Sequence, residues 1–118
     1  AKVRAVLADN PDRWDAWSQL AQWFENDEAE KKAWLEAAER MIDLAPTDAL
    51  SWRTVADARR VNDDVAGARQ AYARAVTLDP AFEYCTNWLV DLEMDAGELD
   101  RADEYLTRAL AHEPSAFL

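Results

Sequence analysis

Residues 71–80, AYARAVTLDP, read as the end of a helix: small and aromatic residues at helical spacing, then an Asp and a Pro that stop it. The phrase returns 34 residues later as YLTRALAHEP, residues 105–114. Outward from this pair, Pro11, Pro46, Pro80 and Pro114 stand 35, 34 and 34 residues apart. Six residues after the first three prolines come Trp17, Trp52 and Thr86; nine after come Leu20, Val55 and Leu89; ten after come Ala21, Ala56 and Val90. Upstream, Ala68, Tyr72, Ala75, Val76 and Leu78 answer to Ala102, Leu106, Ala109, Leu110 and His112. Such a period marks a chain built of one supersecondary unit repeated.

Offsets of three and four residues place each apolar set on one helical stripe. Between the stripes, NDDVAG (62–67) and DAGELD (95–100) are turns, with Asp64 and Glu98 beside the next helix start, where the dipole favours negative charge. The spacing predicts helices over 12–26, 29–44, 48–61, 64–78, 82–95 and 98–112. Each unit is then a pair of antiparallel helices too small to bury both stripes alone, so neighbours must stack. Ala68, Ala75, Ala102 and Ala109 allow close helix approach. Trp17, Trp34 and Trp52 are expected in the core, whereas Trp14 and Trp23 face solvent or a missing neighbour.

The 34-residue helix pair resembles the tetratricopeptide repeat. Residues 49–80 carry WRTVA and ARQAYARAVTLDP, and residues 83–114 follow them with Thr86 in place of a large residue. Residues 14–46 depart most, holding Trp34, Ala38 and Met41 where the next unit has Ala68, Tyr72 and Ala75, so that large and small positions are exchanged. The expected fold is all-α, an α-solenoid of about three tandem helix pairs in a single domain. Its divisions are a partial helix over 1–10, repeats over 14–46, 49–80 and 83–114, and the truncated start of another unit at 115–118. Both ends read as cut, which implies a piece of a longer array with stacking surfaces available for self-association.

Composition narrows the function classes. Half of the 118 residues are apolar, 31% are charged and only two are Gly, a balance that suits a helical globular chain. A net charge of −11 without any Lys/Arg run excludes the counterion release that drives nucleic-acid binding and disfavours anionic membranes. No stretch approaches the length of an apolar membrane span, so the chain is expected to be soluble. One cysteine, Cys85, leaves no internal disulfide, and a single His112 leaves no Cys/His set for a structural zinc. A reducing compartment, the cytoplasm, fits. The chain has no Gly-rich phosphate loop, metal-binding His pair or nucleophile motif. Adjacent acids such as Asp63 and Asp64 read as a helix start, Cys85 as a packed thiol and His112 as a structural histidine. No catalysis, cofactor or metal is expected.

What the resemblance implies is a binding or scaffolding module for a protein or peptide. In such arrays the first helix of each pair lines a concave groove, and its exposed positions follow each proline at set intervals. Carried across, the groove residues are Gln22 from the first unit; Arg53, Asp57 and Arg60 from the second; and Tyr84, Asn87, Trp88, Asp91, Met94 and Asp95 from the third. The array variant that clamps carboxylate tails needs Lys and Asn at positions held here by Ser18, Gln22, Arg53 and Asp57, which argues against that activity. Acids beside Tyr84, Trp88 and Met94 point to a basic segment with an apolar anchor, Trp88 setting its affinity. Two alternatives stay open: a helical docking region of a larger enzyme, and the Trp-rich half-repeat scaffold suggested by WSQLAQWFE (17–25).

Overall fold

A computed structural model describes residues 8–9, 11–25 and 27–112. The segments expected over 1–10 and 115–118 fall almost wholly outside the described residues, as do Asn26, Pro114 and the side chain of His112. The elements are α1 (Trp14–Phe24), a 3-10 turn (Glu28–Glu30), α2 (Lys31–Leu44), α3 (Ala49–Val61), α4 (Val65–Leu78), α5 (Glu83–Asp95) and α6 (Leu99–His112), with no strand among the described residues. The dominant contacts run between consecutive helices, and the molecule extends 46 × 26 × 21 Å. It is an all-α solenoid of tetratricopeptide-like helix pairs, α1/α2, α3/α4 and α5/α6.

Each turn has a chemical cause. Asp48 and Asp64 cap α3 and α4, accepting hydrogen bonds from the backbone N–H of Ser51 at 3.3 Å and of Gly67 at 2.9 Å. A Cβ on Gly67 would lie 2.2 Å from the capping Asp64 carboxylate, which would have to shift from the position it holds here. The ends of α3 and α5 close alike. Asp64 N–H bonds Arg59 C=O at 2.9 Å and Glu98 N–H bonds Glu93 C=O at 2.8 Å, around a left-handed residue that is Asp63 (φ 64°) in one case and Gly97 (φ 79°) in the other.

The core is built on alanine. Ala37, Ala38, Ala56, Ala58, Ala68, Ala71 and Ala75 are fully buried and bring the helices close, while Met41, Val55, Tyr72 and Leu89 fill the space between them. In the first pair the exchanged sizes work as well: Trp34, Ala38 and Met41 are all buried. Trp17 and Trp52 differ from expectation, being half-buried rather than enclosed. Their indole N–H groups need an acceptor and find it at the edge of the fold, donating to the carbonyls of Pro11 and Pro46, each at 2.8 Å. Trp14, half-buried, joins two pairs: its Nε1 donates to Ser51 Oγ at 2.8 Å, and Ser51 Oγ donates to the capping Asp48 carboxylate at 2.7 Å. Trp23 is 73% exposed, whereas its counterparts in the next units, Ala58 and Leu92, are 0% and 8% exposed.

Asp63 holds the left-handed position at which the next unit has glycine, and a Cβ is strained there. Asp63→Gly should therefore raise stability by about 0.5–1 kcal/mol, read as a higher urea midpoint at unchanged slope.

Candidate functional site

The first helices α1, α3 and α5 carry the ten residues singled out in the sequence, and α3 holds their centre. Arg53, Asp57 and Arg60 lie at i, i+4 and i+7 on one face of that helix. Asp57 is only 3% exposed, so its charge must be met inside the protein. Four side chains meet it. Arg53 Nε lies 3.2 Å from Oδ2 and Arg60 Nη2 lies 3.7 Å from Oδ1. The Tyr72 hydroxyl donates to Oδ1, and the Tyr84 hydroxyl lies 3.0 Å from both carboxylate oxygens. The position expected to show an acid to a ligand instead holds a buried hub joining α3, α4 and α5.

The arginines serve twice. Arg53 stacks over the Tyr84 ring at 4.7 Å and reaches Glu25, just past the end of α1, at 3.9 Å. Arg60 sits 3.8 Å from the Trp88 ring centroid and donates to the Tyr72 hydroxyl at 3.3 Å. Trp88, half-buried, also lies parallel to Tyr72 with centroids 6.3 Å apart. Its ring is thus engaged within the fold. Tyr72 was legible only as a member of the α4 stripe; the signal for its role is a lone phenol in a layer that holds Ala38 and Leu106 in the other units.

Burial pushes the Tyr72 and Tyr84 phenols above their ordinary range; Asp57 adds to the shift, and the neighbouring arginines oppose it. The Cys85 thiol, fully buried, is pushed up to about 12, by burial first and then by the charge of Asp57, as befits a packed and unreactive cysteine. Arg69 of α4 meets the buried Glu93 of α5 through two hydrogen bonds at 2.8 and 3.0 Å, a second charged tie between pairs.

Two features of this face remain open. Between α1 and α3 lies a cavity of about 260 Å³, floored by Ala21, Trp34 and Met41, with Gln22, Arg53 and Thr54 at its mouth and Asp57 at one wall. It lies one unit before the place where Tyr72 reaches between α3 and α5; Ala38, the α2 residue in register with Tyr72, is fully buried and is not part of the lining. On α5, Asn87, Asp91, Met94 and Asp95 are exposed, and their side chains make no hydrogen bond or ion pair among the described residues. The ten residues thus divide into cavity lining (Gln22, Arg53, Asp57), an internal network (Arg53, Asp57, Arg60, Tyr84, Trp88) and a bare α5 row. Among the described residues no group of His, Cys, Asp and Glu has the arrangement of a metal site.

No family model matches the chain, and no curated protein matches it. Solved structures do. The MamA RS-1 ArsTM double mutant superposes with a TM-score of 0.84 at 21% identity, over 97% of this chain and 64% of that one. MamA residues 41 to the end from Desulfovibrio magneticus RS-1 give 0.80 at 21%, over 96% and 63%. The Naa15/Naa10 complex bound to HypK-THB gives 0.77 at 18%, over 95% of this chain and 17% of that one. The chain therefore spans a little under two thirds of the length of these MamA structures. At such identities the likeness establishes the tetratricopeptide-like helical-repeat fold.

Removing the hub carboxylate leaves two arginines and two phenols without their shared acceptor. Asp57→Ala should cost about 3–5 kcal/mol in chemical denaturation, and Asp57→Asn less, since an amide oxygen still accepts. The tyrosines set a pH limit. Their folded pKa values lie above the unfolded value near 10, so the native state holds these protons more tightly, and stability is full below pH 10 and falls as pH rises beyond it. Denaturation midpoints compared at about pH 8 and 11 should show this loss, reduced in Tyr72→Phe after allowance for its lower starting stability.

Proposed function

We propose that the chain is a non-catalytic interaction module that holds a polypeptide segment of a partner along the face of α1, α3 and α5. The observation that carries this reading is the cavity on that face beside the unpaired Asp91 and Asp95, with the charges of Arg53, Asp57 and Arg60 between them met inside the fold. The partner segment is basic and carries an apolar anchor, because opposite charge steers the encounter while burial of the anchor supplies affinity. A reducing compartment belongs to the same reading. Among the described residues no helix is long and apolar enough to cross a membrane.

Site-specific photo-cross-linking tests the face. A photoreactive residue at Gln22, Asn87 or Asp91 should capture a discrete partner in cells, while the same residue at the exposed Glu36 or Arg74 of the second helices should not. Capture only from Glu36 or Arg74 would reject the reading.

Self-association belongs to the same proposal, at a different surface. Trp23 stands bare where Ala58 and Leu92 are buried, and an exposed indole is a ready anchor for association. Sedimentation velocity over a concentration series should show reversible oligomers, and Trp23→Ser should return the chain to monomer. A strict monomer at high concentration would remove this part of the proposal.

A further inference from the structure

The cavity between α1 and α3 is large enough to admit one side chain. At about 260 Å³ it lies just below the range of about 300–1,000 Å³ typical of small-molecule and cofactor sites. Its floor of Ala21, Trp34 and Met41 offers no hydrogen-bond partner except the Trp34 indole N–H, whereas its mouth carries the amide of Gln22, the guanidinium of Arg53 and the hydroxyl of Thr54. An apolar side chain fits the floor, and a peptide backbone crossing the mouth meets donors for its carbonyls. Trp88, the anchor expected from the sequence, already stacks on Tyr72 and carries Arg60 over its ring, so a ligand using it would compete with contacts inside the fold.

The charge pattern sets the rest of the ligand. Asp57 is neutralised by Arg53 and Arg60, and Glu25 lies beside Arg53, so the cavity wall offers no free acid. Asp91 and Asp95 on α5 are exposed and unpaired. The dominant contacts run between consecutive helices, so neighbouring first helices are set at the wide end of helix packing, about 10 Å, which puts α5 roughly 15 Å from the midpoint of α1 and α3. An extended chain covers about 3.3 Å per residue and spans that distance in about four or five residues.

We infer that the cavity takes one Leu or Met side chain of an extended segment whose Lys or Arg, about four or five positions away, pairs with Asp91 and Asp95. This assignment rests on the reading of the α1, α3 and α5 face as a peptide site, and adds which residue of the ligand goes where.

The probe is a set of fluorescein-labelled peptides on a Gly/Ser background, each with one Leu and a Lys pair separated by about one to seven residues, titrated with the chain by anisotropy. Affinity should peak at a separation of about four or five. Replacing the peptide Leu by Ala should weaken binding about tenfold, and replacing its Lys pair by Glu should weaken it at least as much. Ser18→Phe and Gln22→Trp narrow the cavity mouth from α1 without entering the core, and each should erase the Leu/Ala difference, with circular dichroism confirming the fold. Asp91→Asn with Asp95→Asn should erase the Lys/Glu difference and flatten the salt dependence. If the Leu/Ala difference survives both mouth variants but is lost in Trp88→Ala, the socket assignment is wrong and the peptide face stands. Binding that is indifferent to all of these variants rejects both. Failure of every peptide to bind at millimolar concentration overturns the socket assignment, leaving the face to the cross-linking result.

Discussion

A carboxylate with 3% exposure organises the middle of this solenoid. Asp57 sits on the first helix of the second pair, yet the groups that satisfy it come from three helices: Arg53 and Arg60 from α3 itself, Tyr72 from α4 and Tyr84 from α5. A buried charge is costly without such partners, so the hub is formed only when these helices are docked in register. Apolar packing alone, with alanines at so many contact positions, would tolerate small slides of one helix along another. The hub does not, because its hydrogen bonds fail within a fraction of an ångström. Arg69 and Glu93 impose the same demand between α4 and α5.

The hub also explains how the first-helix face divides its work. Side chains on that face were candidates for ligand contact through the resemblance to the tetratricopeptide repeat. In the second pair they turn inward on Asp57, and Arg53 stacks on Tyr84 and Arg60 on Trp88, so these side chains are already engaged with one another. Openness is left on either side of them: toward α1, where the cavity lies against Trp34 and Met41, and toward α5, where acids stand in solvent. Recognition, in the proposed reading, happens around that centre.

Much of the fold was legible. The proline spacing and the alternation of small and large residues placed all six described helices, with ends such as 48–61 against Ala49–Val61 and 98–112 against Leu99–His112. Legibility failed where a residue's fate depended on a polar atom. Trp17 and Trp52 have the bulk of core residues, but their indole N–H groups draw them to the proline carbonyls at the edge. Asp57 has the spacing of a groove residue, but the phenols that close over it come from α4 and α5, which helical periodicity within α3 cannot foresee. The size exchange in the first unit was visible in Trp34, Ala38 and Met41; the cavity against Trp34 and Met41 required the packing of three helices to appear.

The bridge from Trp14 through Ser51 to Asp48 ties the start of α3 to a side chain of the preceding pair. A helix cap is ordinarily local, fixed by residues within one turn. Here the capping carboxylate is held in place by a hydroxyl that is itself held by the neighbouring unit, so the tendency of α3 to fray depends on whether α1 is folded. In a linear array, where each unit touches only its neighbours, such a link strengthens nearest-neighbour coupling relative to the stability of each unit. Melting that begins in the first pair is therefore passed on to the second, and the two behave as a single cooperative block.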